Sequence, residues 1–325
     1  TGRHPNRFGC FAWGRSLRPQ ELTIAERLKA AGYSTAHFGK WHLGSVLGGS
    51  PVNPGASGFE HWLSAFNFYD NDPVLSREGK AVEIEGESSI IAADAAIEFI
   101  KRQSADQGPF LAVVWFGSPH DPHRAAPEDL AHYEGNKSAH WLGEITGIDR
   151  AVGKIRAALR EEGIQENTLL WYTSDNGGLS TLEPRRLAPT SNRPLRAGKG
   201  WCYEGGIRVP LIIAGPDVIN PGRTVNQPAI SMDYFTTILN LAEIEHDSND
   251  GVNLVPILSQ NKKLERDELF WHYPHYHGSA WKPGSAIRKG DWKLVYFYED
   301  EQTELYNLKN QPSETTDLSQ QFPEK

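Results

Sequence analysis

Cysteine is scarce in this chain. There are two, Cys10 and Cys202, too few for a disulfide framework or a cysteine zinc site. A single bridge between them is the most the sequence allows. Positive charge is in deficit: 33 Lys and Arg stand against 41 Asp and Glu, a formal net charge of -8. That balance speaks against a nucleic-acid partner, whose backbone needs cations. No apolar run approaches the roughly 20 residues of a membrane span, so no membrane partner is expected. An initiating Met and a signal-peptide pattern are both missing; the sequence reads as a piece of a longer protein. Localisation and oligomeric state are not legible. What is present is ordinary in bulk, with 38% hydrophobic and 23% charged residues in 325. That length suits one large domain, or one large plus one small. Ten Trp, eleven Tyr and twelve His stand out. Their faces often line sugar sites, although core packing accounts for most such residues.

One stretch organises the rest. Thr168-Leu169-Leu170-Trp171-Tyr172-Thr173 reads as a buried strand, and Ser174-Asp175-Asn176-Gly177-Gly178 follows directly. Asp175 and Asn176 then offer hard oxygens, suited to Ca²⁺ or Mg²⁺, at the end of a strand where α/β folds bind ligands. The glycines let the backbone turn sharply and approach closely. A plain Asn-Gly turn is the alternative.

Other polar clusters recur after strands. Thr23 and Glu26 form a capping box, Ile24, Leu28 and Ala31 share a face, and Gly32 ends that helix. Tyr33 to Phe38 reads as a strand leading into Gly39-Lys40-Trp41-His42. In an extended segment Lys40 and His42 project to one side, able to hold an anion and move a proton; a solvated surface loop is the alternative. Residues 45–87 read as loop. A helix is expected over Ile90 to Arg102 and a strand over Pro109 to Phe116, ending in Gly117-Ser118-Pro119-His120-Asp121-Pro122-His123. His120 or His123 is a candidate general acid, against surface histidines in a Pro turn. Trp141 to Glu162 is the clearest helix, with Ile145, Ile148, Val152, Ile155 and Leu159 on its apolar stripe and Gly163 after its end.

Residues 183–197 gather Arg185, Arg186, Arg193 and Arg196. Gly198-Lys199-Gly200 resembles an anion clamp, and the strand Leu211 to Ala214 closes the alternating part. From about Leu264, strands are expected at 268–273, 285–288, 292–298 and 304–308, with a hairpin at Lys289-Gly290-Asp291. His272, His275 and His277 lie among Trp271, Tyr273 and Tyr276. They read as a metal site, an aromatic wall facing substrate, or a packed loop.

The alternation up to about residue 215 predicts a doubly wound α/β sheet. Converged, Lys40, His42, His120, Asp175, Asn176 and Lys199 suit a small tetrahedral dianion. Here the sequence resembles the sulfatase family of the alkaline-phosphatase superfamily. Gly32 to His42 matches that family's second signature, and Thr1-Gly2-Arg3 looks like the tail of its first. Ser174 to Gly178, Gly198-Lys199-Gly200 and Tyr203 to Pro210 match further blocks. The resemblance implies an alkaline-phosphatase-like α/β sandwich with a central mixed, mostly parallel sheet. It puts a catalytic domain at 1–263 and a small antiparallel α+β module at 264–325.

It further implies a sulfuric ester hydrolase acting on a small-molecule or glycan sulfate ester, in a periplasmic or secreted protein. Asp175 and Asn176 would bind Ca²⁺, and Lys40 and Lys199 would grip sulfate. His42 would steer a formylglycine nucleophile and His120 would protonate the leaving alcohol. His123, His275 and His277 are expected to face substrate. Neither Cys10 nor Cys202 stands in the family's Cys-x-Pro-Ser-Arg context, and its paired aspartates are absent. Both are expected upstream of Thr1, leaving this piece inactive alone. A phosphodiesterase or phosphonate hydrolase of the same superfamily, or a non-catalytic binding remnant, are the alternatives.

Overall fold

The computed structural model describes residues 1–10, 14–180, 190–216, 219–260 and 262–324. By contacts the chain divides into two units, Thr1–Leu169 with Gly215–Lys262 and Leu170–Ala214 with Lys263–Lys325.

The first unit holds α1 (Ile24–Ala30), β1 (Ser34–Lys40), β2 (His61–Ala65), β3 (Val74–Arg77), β4 (Lys80–Glu83), α2 (Ser88–Asp106) and β5 (Phe110–Trp115). After them come α3 (Pro127–Leu130) and α4 (Ala139–Glu161). The sheet order is β4-β3-β2-β1-β5. β2, β1 and β5 run parallel, and β3 and β4 add an antiparallel edge. Residues along β5 alternate between the two faces, as a strand requires. Phe110, Ala112 and Val114 join Ala36 and Phe38 against Ile91, Ala92 and Phe99 of α2. Leu111 instead packs with Leu28 of α1 and, from the later helix Met232–Leu241, Phe235 and Leu239. Helices therefore cover both faces. α4 lies on α2 through Ile155, Leu159, Ala93 and Ile100.

The capping box forms: Thr23 Oγ1 accepts from the Glu26 N–H at 3.1 Å, and Glu26 accepts from the Thr23 N–H at 2.8 Å. Gly32 takes φ +88° just past the helix end. The loop expected over 45–87 is a correction, since β2, β3 and β4 lie inside it. These strands are four or five residues long and show little alternation. The β3–β4 turn is Glu78-Gly79, both at positive φ, in place of the familiar Asn-Gly.

β1 carries one residue that costs stability in acid. His37 is fully buried between the rings of Trp41, Phe59 and Trp115. Its Nδ1 lies 2.8 Å from Ser64 Oγ, and burial holds its pKa down to about 3. The unfolded chain takes up that proton near pH 6.5 and the folded chain does not, so stability falls as pH drops below 6.5. The contribution is about 1.4 kcal/mol per pH unit. Between pH 7 and 5, urea unfolding of the wild type should therefore lose about 2 kcal/mol more than His37→Leu loses. Parallel pH dependences in the two proteins would mean that His37 stays hydrated or paired.

The second unit holds β6 (Leu170–Thr173), α5 (Glu204–Ile207) and β7 (Leu211–Ala214), with β6 antiparallel to β7. The first unit resumes with α6 (Met232–Leu241) and α7 (Val255–Gln260). The second then closes with β8 (Glu268–Tyr273), β9 (Gly284–Lys289), β10 (Trp292–Phe297) and β11 (Thr303–Asn307). These four make an antiparallel sheet in the order β11-β10-β9-β8, with Gly290-Asp291 as the tight turn. Its core joins Tyr203, Trp281, Val295, Phe297 and Tyr306 to Cys202. The allowed Cys10–Cys202 bridge does not form; both thiols are free, and burial pushes Cys202 up to about 12. Among the described residues no helix is long and apolar enough to cross a membrane.

Candidate active site

The parallel strands of the first unit end at one edge, with Lys40 opposite Ala65 and Gly39 opposite Trp115. This carboxyl edge is where α/β sheets bind ligands. Gly39 takes φ +98°, and a Cβ there would sit 2.0 Å from the Trp115 carbonyl oxygen, so only glycine fits. The ladder runs on past β1, with the Trp41 and His42 N–H groups donating to Ala65 and Phe66 carbonyls, both at 2.9 Å. His42 adopts φ +52°. The premise that both Lys40 and His42 stand in one extended segment is corrected: β1 ends at Lys40, and His42 lies beyond it in the left-handed region. Trp41 anchors the turn. It is buried, donates from Nε1 to the Val52 carbonyl at 2.9 Å, and stacks on Trp115.

The loop after β5 brings His120 to the same edge. Its Nδ1 lies 2.6 Å from the Asp121 carbonyl oxygen. A carbonyl only accepts, so Nδ1 carries hydrogen and Nε2 is the atom that can exchange a proton. The ring lies flat on Phe68, centroids 4.6 Å apart at 7°. His123, on the same loop, pairs through Nδ1 with Glu144 Oε2 at 2.7 Å. The other Glu144 oxygen accepts from the Arg124 N–H at 2.8 Å. The sequence reading missed Glu144 because it assigned the inward stripe of α4 to Ile145. Ile145 is 42% exposed, whereas Glu144 is buried among Gly143, Gly147, Ile148 and Ala151. A carboxylate flanked by glycines and followed by buried apolar residues at helical spacing was the available signal.

In the second unit, glycine contacts tie three motif segments together. The Gly177 N–H donates to the Gly206 carbonyl at 3.0 Å, and the Lys199 N–H to the Gly178 carbonyl at 3.1 Å. A Cβ at Gly177 would lie 1.7 Å from the Gly205 oxygen, and one at Gly198 would lie 2.1 Å from the Gly178 oxygen. No side chain fits at either place. Asn192, another residue the sequence reading missed, clamps the junction. It accepts from the Gly178 N–H at 2.9 Å and donates to the Gly178 and Ala197 carbonyls at 2.7 and 3.0 Å. Lys199 is thus held beside the Asp175-Asn176 turn, where exposed Asp175 accepts from the Asn176 N–H at 2.9 Å.

His277 joins this group. A Cβ on Gly200 would meet its Nδ1 at 2.1 Å, and that nitrogen accepts from the Ser279 N–H at 3.2 Å. Burial, then Lys199, lowers its pKa. His275 sits edge-on to Tyr273 and is lowered by burial, then by His272. His272 contacts Ser285 Oγ and the Tyr298 hydroxyl through Nδ1 at 2.8 and 2.9 Å. Among the described residues no group of three or more His, Cys, Asp or Glu is arranged to hold a metal, which sets aside the three-histidine metal site. The arginine cluster is corrected in part. Arg196 lies 3.8 Å over the Tyr203 ring and donates to the Tyr306 hydroxyl at 2.6 Å, so it builds the fold. Arg193 is exposed, and Arg185 and Arg186 lie outside the described residues. Asp175 and Asn176 have donor chemistry that fits a hard cation, but they supply only part of the roughly six oxygens Ca²⁺ takes.

A profile of the Sulfatase family matches residues 1–244, three-quarters of the chain. The chain belongs to the sulfatase family. A second profile, N-sulphoglucosamine sulphohydrolase, C-terminal, matches residues 197–324 of this sulfatase chain. A sulfatase of Formosa agariphila is 30% identical, covering 94% of this chain and 67% of its own length. The N-acetylgalactosamine-6-sulfatase of Sus scrofa is 33% identical, covering 83% and 57%. The chain thus spans between half and about two-thirds of these relatives. The solved structure of Ps i-CgsB in complex with k-i-k-neocarrahexaose is 25% identical with a TM-score of 0.89, covering 99% of this chain and 77% of that one. A structure solved with its substrate D-glucosamine-2-N,6-O-disulfate is 22% identical with a TM-score of 0.83, covering 100% and 83%, and shares the fold. The alkaline-phosphatase-like α/β architecture with a C-terminal antiparallel sheet is that of these neighbours.

Proposed function

We propose that the protein carrying this chain is a sulfuric ester hydrolase that removes sulfate from a sulfated carbohydrate. The observation that supports the reading is the backbone bond from the Lys199 N–H to the Gly178 carbonyl, which ties the Lys199 segment to the Asp175-Asn176 turn. On this reading Lys40 and Lys199 bind sulfate oxygens and offset the charge that develops on them. His42 orients the nucleophile, and His120 protonates the departing alcohol through Nε2. Asp175 and Asn176 contribute to a Ca²⁺ site; the bound ion would supply further positive charge to the ester. On this reading the nucleophile is a formylglycine, and further oxygen ligands complete the metal site. His123, His275 and His277 contact the sugar. An N-acetylgalactosamine-6-sulfatase among the relatives and a disulfated glucosamine bound as substrate in a fold neighbour favour carbohydrate.

The test is sulfate release by the full-length protein. A panel of monosaccharide sulfates, sulfated oligosaccharides, 4-methylumbelliferyl sulfate and phosphate diesters would be assayed. Release from at least one sugar sulfate is expected. Phosphodiester cleavage without sulfate release would move the protein to the other branch of its superfamily.

A further inference from the structure

His123 and Glu144 form a buried pair whose chemistry goes further than contact with substrate. Their side chains are 10% and 5% exposed, and the Nδ1–Oε2 distance is 2.7 Å. The second carboxylate oxygen is taken by the Arg124 N–H. An ionised carboxylate only accepts, so Nδ1 carries the hydrogen shared with Glu144, and in the neutral form of the ring the lone pair is on Nε2. His123 sits on the loop that also carries His120, at the carboxyl edge of the parallel strands, and Glu144 reaches it from α4. No described residue donates to or accepts from Nε2 in the hydrogen bonds of this unit. A lone pair there attracts a hydroxyl proton and repels a sulfate oxygen.

We infer that Glu144 is a positioning residue that holds His123 in this tautomer, so that Nε2 accepts a hydrogen bond from a free hydroxyl of the sugar. The inference rests on the sulfatase reading and sharpens it. The preferred substrate bears an unsulfated hydroxyl near the scissile ester, and sulfation at that hydroxyl is rejected by an attraction lost and a repulsion gained.

Glu144→Gln separates this role from a structural one. The amide oxygen still accepts from Arg124, while the amide N–H₂ donates to Nδ1 and drives the ring proton to Nε2. Nitrogen NMR of the histidines should show His123 with Nδ1 protonated in the wild type and Nε2 protonated in Glu144→Gln. On the monosaccharide sulfate cleaved fastest by the full-length enzyme, kcat/KM should fall roughly 10–100-fold in Glu144→Gln and in His123→Ala. The fall on 4-methylumbelliferyl sulfate, which has no sugar hydroxyl, should be at least tenfold smaller. Equal losses on both substrates, or a wild-type His123 protonated at Nε2, would overturn the inference. A wild type inert on every sulfate ester would instead remove the sulfatase reading, a result visible without any variant.

Discussion

His120→Ala in the full-length enzyme should slow a sugar sulfate by roughly 10²–10⁴-fold, the usual contribution of a general acid. The expectation follows from how the ring is held. Its Nδ1 proton is committed to the Asp121 carbonyl at 2.6 Å and its face lies on Phe68, so only Nε2 can deliver a proton. An alkoxide leaving group needs that proton, and an acidic phenol leaves without it. The loss on an aryl sulfate with an acidic phenol should therefore be much smaller, and the gap should narrow as the phenol becomes less acidic. Comparable losses across a series of phenols and a sugar sulfate would strip His120 of the acid role and leave it a binding residue. Phe68→Ala, which frees the ring without removing it, should shift kcat in the same leaving-group-dependent sense with a smaller amplitude.

Lys293→Met should destabilise the second unit by about 3–5 kcal/mol at neutral pH, read by chemical denaturation. Lys293 is fully buried on β10. Its Nζ lies 3.1 Å from Glu204 Oε1 and 2.8 Å from Glu314 Oε1, both carboxylates being buried as well. Glu314 also accepts from the Glu204 N–H at 2.7 Å, which fixes the start of α5. Removing the ammonium leaves two carboxylates in an apolar core, with Arg208 and Arg288 at 3.9 and 3.8 Å from Glu204. Burial already raises the Glu314 pKa, and the loss of Lys293, which lowers it, would raise it further. A carboxyl with a raised folded pKa favours the fold in acid and loses that advantage as pH rises through the folded value. The deficit of the variant should thus be least in acid and grow toward neutrality. Restoring Glu204→Gln and Glu314→Gln together should recover part of it. A variant within about 0.5 kcal/mol of wild type at pH 7 would mean that the carboxylates find water or other partners.

The fold was legible where periodicity and punctuation agreed. Thr23 and Glu26 announced α1, and the runs after Asp267 announced four strands within a residue or two of β8 to β11. It was illegible where strands were short and took their stability from neighbours. β2 to β4 owe their existence to pairing with β1 and with each other. α6 went unnoticed although Ser231 stands at its N-cap and Phe235 and Leu239 pack on α1, because no glycine or proline marks its end. Motif residues stood out by type, yet spacing could not show what holds them. The order of residues does not reveal that Asn192 clamps Gly178 or that Arg196 is spent on Tyr203, and for the His123–Glu144 pair it offers only the glycine-flanked carboxylate.

The junction of Gly177, Gly178, Gly198 and Gly205 restricts how this protein can be re-engineered. The spacing between Lys199 and the Asp175-Asn176 turn is set by close main-chain approach at the glycines and by the Asn192 amide that bonds both segments. A mutational library over residues 174–178 and 197–206 would therefore return mostly inactive or unfolded clones, because an added Cβ at Gly177, Gly198, Gly205 or Gly206 meets backbone, and one at Gly178 or Gly200 meets the Thr190 or His277 side chain. Productive diversity within this unit lies at exposed Arg193, His272 and Tyr276. A change of substrate preference should be sought by saturating those positions while the glycine junction is kept unaltered.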